Sequence, residues 1–165
     1  MPPAEGSVEA TAEKLRKIGV ETLGIVGSVV ERVRFYMRFR PIRCALGADP
    51  ELATHRAYGV PRAPMTTQVW TAIETSSRAA ARDLGIQVAG WSAHEAIARL
   101  DRFDVTDSEQ REMGRHQLQF TGQFLLDRDG IVRWSNIECA SEGLAGIDRF
   151  PNDEELLATV TALLN

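Results

Sequence analysis

Cysteine is scarce in this chain: Cys44 and Cys139 are its only two among 165 residues. Two thiols so far apart do not make a disulfide framework in a chain of this length, and no CxxC occurs to form a redox pair or half a zinc site. Histidine is nearly as rare. His55, His94 and His116 show no HxxxH or His/Cys pairing, so no metal site and no cofactor is expected. Positive charge is not in excess, with 19 Lys and Arg against 23 Asp and Glu and a net charge of -4. Nothing therefore draws the whole chain to nucleic acid or to an anionic membrane. Aromatic residues make up 7%, and Trp70, Trp91 and Trp134 are too scattered to form a stacking platform; Trp70 is expected in the core. No apolar run reaches the roughly 18 residues that a membrane span needs. Met1 to Ser7 has neither a basic nor an apolar signal-peptide region. A cytoplasmic location is expected.

Hydrophobic residues at 44% and charged residues at 25% give an ordinary globular balance, and the length suits one domain over residues 1–165. Val8, Ala12, Leu15 and Ile18 recur at helical spacing, and Gly19 can end that helix. Glu21 to Gly27 is a short apolar run that reads as a buried strand. Ser28 with Glu31 reads as a capping box opening a second helix to about Phe39. Cys44 to Leu46 reads as a strand. Asp49 is placed to cap a helix with Pro50 in its first position, ending at Gly59.

From Pro61 to about Gln117 the pattern looks entirely helical, a helical insertion covering about 61–117. One helix is expected over Thr67 to Leu84, with Val69, Trp70, Ile73, Ala80 and Leu84 on one side. A second begins at Ser92, boxed with Glu95, and a third at Thr106, boxed with Glu109. Strand signals return at Phe120 to Leu126. Asp127-Arg128-Asp129-Gly130 reads as a hairpin turn, with Gly130 in the left-handed position and Ile131 to Ile137 as the partner strand. Asn152 is placed to cap a last amphipathic helix through Leu156, Val160, Leu163 and Leu164.

The segments "LRKIGVETLGIVGS", "ALGADPELATHRAYGVP" and "FTGQFLLDRDGIVRW", in that order, resemble peroxiredoxins of the AhpC/TSA group. They cover roughly half the chain. The resemblance implies an α/β fold: a thioredoxin-like mixed sheet flanked by helices, here interrupted by the helical insertion. It implies thiol-dependent oxidoreductase or peroxidase activity, with a peroxide or thiol partner. The sequence departs from the family where that chemistry sits. The family's peroxidatic cysteine stands at the start of the first helix, and Met1 to Ser7 contains none. Thr121 stands at the place of a family arginine, and the cis-proline before that strand is missing. The family's central strand is missing too. The strands near Leu23 and Phe124 are then expected either to pair, closing a four-stranded sheet, or to leave an open edge through which a homodimer forms.

Cys139 and Cys44 are the candidate catalytic thiols. Cys139 lies between Glu138 and Glu142, whose charges oppose a thiolate, and Cys44 has Arg43 beside it, which favours one. The alternative is that both are inert, packed cysteines. His116, Thr121 and Gln123 are candidates to line a polar pocket beneath the insertion; the alternative is that Gln119 and Gln123 satisfy strand ends. Arg32, Arg34, Arg38, Arg40 and Arg43 form a basic cluster that reads best as a solvated helix face. Three functions stay open: a peroxiredoxin-like redox protein with standard thiol peroxidase chemistry lost, a non-catalytic ligand- or partner-binding protein, and a chain whose active-site segment lies upstream.

Overall fold

The computed structural model describes residues 8–39, 42–88, 92–100 and 117–164. The chain is α/β. In order, it forms α1 (Val8–Lys17), β1 (Leu23–Val26), α2 (Val30–Phe39), β2 (Ala45–Ala48), α3 (Ala53–Ala57), β3 (Arg62–Ala63), α4 (Thr67–Asp83), α5 (Ala93–Leu100), β4 (Leu118–Gln119), β5 (Gly122–Leu126), β6 (Val132–Ile137), a 3-10 turn (Gly143–Gly146) and α6 (Asp153–Leu164). Its contacts group into two compact units. The first holds residues 1–59, the hairpin tip Leu125–Trp134 and the C-terminal segment from Pro151; the second holds Val60–Phe124 and Ser135–Phe150.

In the first unit, β1 and β2 run parallel, with Leu23 opposite Ala45 and Val26 opposite Ala48, and α2 makes the crossover between them. Glycine at 24 and 47 lets the two strands approach: a Cβ on Gly24 would sit 2.5 Å from the Leu46 side chain. The strand β1 is not buried as its apolar run suggested, since Leu23 is 63% exposed and Val26 38%. A parallel strand is covered only when helices or further strands lie on both its faces, which a pair alone does not supply. The helix α2 also begins later than the Ser28 box implied. The Val29 carbonyl accepts the first bonds, from the N–H groups of Arg32 and Val33, because the Ser28 N–H is spent on the turn to Val26.

Asp49 caps α3 from outside the helix. Its two carboxylate oxygens accept from the N–H groups of Ala53 and Thr54 at 3.0 and 2.7 Å. Pro50 therefore lies in the lead-in turn, not in the first helical position, and Leu52 absorbs the bend with a φ of 53°. The last helix docks on the first: Thr11 and Lys14 of α1 donate to the Asp153 carboxylate at the start of α6. Leu156 and Val160 form the buried stripe of α6, whereas Leu163 is exposed.

In the second unit, α4 buries Val69, Ser77 and Ala81, positions spaced by multiples of four. That stripe leaves Trp70, one step round the helix, 44% exposed and outside the core where the sequence placed it. Leu84 is also exposed. The region from Pro61 is not all helix. Arg62–Ala63 pairs antiparallel with Leu118–Gln119, because the Gln119 amide and Phe120 N–H both donate to the Pro61 carbonyl and hold the segments together. The Ser92–Glu95 box opens α5 through reciprocal bonds of 3.1 Å. The expected third helix at Thr106 lies outside the described residues.

The hairpin β5–β6 turns at Asp127, whose carboxylate accepts from the N–H groups of Asp129 and Ile131, with Gly130 at a φ of 78°. Among the described residues the strands form three two-stranded sheets rather than one mixed or closed four-stranded sheet. The described strands are short, from two to six residues each. No helix of the described residues is long and apolar enough to cross a membrane.

Candidate functional site

The last strand, β6, delivers Glu138 and Cys139 to the 3-10 turn. Glu138 is buried, at 7% exposure, yet it meets no cation among the described residues. Its two oxygens are saturated by backbone instead: Oε2 accepts from Thr121 N–H at 2.8 Å and Oε1 from Asp148 N–H at 3.0 Å. Its own N–H donates to the Thr121 carbonyl. The segment between Cys139 and Asp148 is thereby pinned to the base of the hairpin. Thr121 serves this clamp through its backbone.

Cys139 follows with a φ of 62°, a left-handed conformation rare outside glycine. Burial above all, and then the Glu138 and Asp148 carboxylates, push its thiol above the usual cysteine range. A thiol held protonated is a poor nucleophile. Cys44 lies in the first unit, half-buried on a groove of 310 Å³ beside α1. The Arg43 guanidinium that was to favour its thiolate is engaged with Glu9 and Glu13 of α1, at 3.4 and 3.8 Å. The cysteines thus belong to different units, and both are free.

Gln123 accepts from the Asn136 amide across the hairpin at 3.2 Å, and Gln119 donates to the Pro61 and Phe120 carbonyls. Gln119 thus serves the backbone at the β3 and β4 ends, while Gln123 pairs with a side chain of the neighbouring strand. His116 lies outside the described residues. Among the described residues no cluster of His, Cys, Asp and Glu could hold a metal ion.

Another concavity lies in the second unit, and the sequence reading missed it. It is a groove of 890 Å³ along α4, walled by α5 and by the segment Leu144–Arg149. Glu74 sets the α5 wall. Its carboxylate accepts from Ala93 N–H at 2.9 and 3.1 Å, and from Arg78 at 2.8 Å. The Ala93 N–H foremost, opposed by burial and helped by His94 N–H and Arg78, holds Glu74 below the usual carboxylate range. The other wall is set by the Glu138 clamp on Asp148.

Apolar side chains of Ala72, Ala80, Ile97, Leu144 and Ile147 share the lining with hydroxyls on the α4 face. Ser77 is 6% exposed and lines the groove. Thr67, Thr71 and Thr75 recur every four residues, a polar helical stripe that could have signalled this face from the sequence. The walls come from distant segments and left no such signal. No family model, curated protein or solved structure matches the chain.

Proposed function

We propose that this chain is a thioredoxin-like, cytoplasmic protein of the peroxiredoxin-related AhpC/TSA redox group in which neither Cys139 nor Cys44 is a peroxidatic thiol, and that it works by binding a small molecule. The family assignment rests on the order of the three resembling segments. The loss of thiol chemistry at Cys139 rests on one observation: its thiol is pushed up by burial and by the Glu138 and Asp148 carboxylates; at Cys44 the neighbouring Arg43 is taken up by Glu9 and Glu13. Peroxidatic cysteines are activated by the opposite surroundings, a helix N-terminus and a cation that lower the thiol pKa. The binding role is favoured by the α4 groove, whose 890 Å³ falls in the range of small-molecule sites and whose lining mixes apolar surface with a few polar groups.

Intact-mass measurement after mixing the reduced protein with equimolar hydrogen peroxide tests this reading, with Cys139→Ser and Cys44→Ser variants beside it. No added oxygen and no disulfide, under conditions that oxidise a working thiol peroxidase, is the expected result. Rapid oxidation lost in one variant would restore the redox enzyme and name its cysteine.

A further inference from the structure

The hydroxyl groups of the α4 groove are not interchangeable. Thr71 Oγ1 donates its proton to the Thr67 carbonyl at 2.8 Å, and Thr75 Oγ1 donates to the Thr71 carbonyl at 2.7 Å. With their protons spent on the helix backbone, these oxygens offer only lone pairs to anything in the groove. Two carboxylates join them on the lining, Asp83 at the C-terminal end of α4 and Asp148 on the opposite wall. Among the described residues the lining holds one guanidinium, Arg149, which is drawn to Glu142 at 3.0 Å, and this offsets its charge. His94 stands on the α5 wall and can present either a donor or an acceptor. Ser77, more than nine-tenths buried, lines the same groove and carries one more oxygen. Acceptors therefore outnumber committed donors around a mainly apolar surface.

We infer that the α4 groove binds an organic amine, a cationic ammonium group carried on an apolar body, with the ammonium held by Asp148 and the Thr71 and Thr75 oxygens and the body lying against Ala72, Ala80 and Ile147. An ammonium has three protons and no lone pair, so it matches the side of the groove where Asp148 and the Thr71 and Thr75 oxygens accept. A carboxylate ligand would meet lone pairs and two like charges. This assignment rests on the binding role proposed above and names its ligand class. The site lies wholly within the second unit.

The test uses three ligands of one shape: 4-phenylbutylamine, 4-phenyl-1-butanol and 4-phenylbutyrate. Each is titrated into the isotope-labelled full chain near neutral pH, and amide shifts of Thr75, Ser77, His94 and Asp148 are followed by NMR. The amine should shift these amides saturably, with the alcohol weaker and the carboxylate weakest. Asp148→Asn keeps the left-handed backbone, which Asn tolerates, and keeps the N–H that Glu138 holds. It should weaken the amine about threefold to fivefold, the scale of a partly exposed charge pair, and leave the alcohol unchanged. Thr75→Val, similar in shape but without the oxygen, should weaken the amine as well. If the carboxylate binds as tightly as the amine, or Asp148→Asn leaves the amine unchanged, the amine assignment is overturned while the binding role stands. If none of the three shifts the groove, both fall.

Discussion

Glu138 offers the sharpest test of the structure. A carboxylate at 7% exposure with two backbone N–H partners and no cation is costly to bury, so it is tolerated only because both oxygens are used. In Glu138→Gln one oxygen becomes an NH2 group, which can only donate. It then faces either the Thr121 or the Asp148 N–H, donor against donor. One hydrogen bond to a charged acceptor is lost, about 1.5–3 kcal/mol, and the cheaper burial of a neutral amide returns part of this. A net loss of about 1–2 kcal/mol is expected. Glu138→Ala removes both acceptors and leaves a gap, so it should cost more, about 2–4 kcal/mol. Urea unfolding followed by far-UV circular dichroism gives the two losses. Amide hydrogen exchange locates them, because Thr121 and Asp148 should lose protection while the β5–β6 turn at Asp127 keeps it. If Glu138→Gln changes stability by less than about 0.3 kcal/mol and both amides stay protected, the clamp does not exist as described.

Acid should loosen the joint between α4 and α5. Glu74 is held below its ordinary 4.5 in the folded protein, so its contribution is fully present above that value and is lost as pH falls through the lowered one. Glu74→Gln should therefore lower the thermal midpoint at neutral pH and converge with the parent only as pH falls through the lowered value; a gap constant across the acid range would contradict this. Alkylation of Cys139 by iodoacetamide should require a higher pH for half-maximal rate than free cysteine does, because the thiol is raised; a lower one would revive the redox reading. Asn152→Ala removes the acceptor for Glu155 N–H at 3.0 Å and should cost about 1 kcal/mol in urea unfolding, with Asn152→Ser near neutral. Gly130→Ala forces a side chain to a φ of 78° and should cost about 1 kcal/mol, and Gly130→Asn should recover part of it.

The sequence by itself determined the elements whose signals span a few residues. The Asn152 cap, the Ser92–Glu95 box and the Asp127–Gly130 turn formed as read, because each is closed by hydrogen bonds between near neighbours. The α/β class followed from the alternation of such segments. What depended on distant partners could not be read locally. Trp70 matched an apolar pattern, yet the stripe through Val69, Ser77 and Ala81 is the one that tertiary packing chose to bury. Arg43 stood next to Cys44 in sequence, but its charge went to Glu9 and Glu13 on another helix. Glu138 looked like a mere acidic neighbour of Cys139 until its partners, 17 and 10 residues away, made it a clamp. The groove itself exists only where α4, α5 and Leu144–Arg149 converge. Caps and turns are fixed by short-range hydrogen bonding, which a sequence displays. Burial, charge pairing and cavities are fixed by which segments meet in space, which only the folded chain decides.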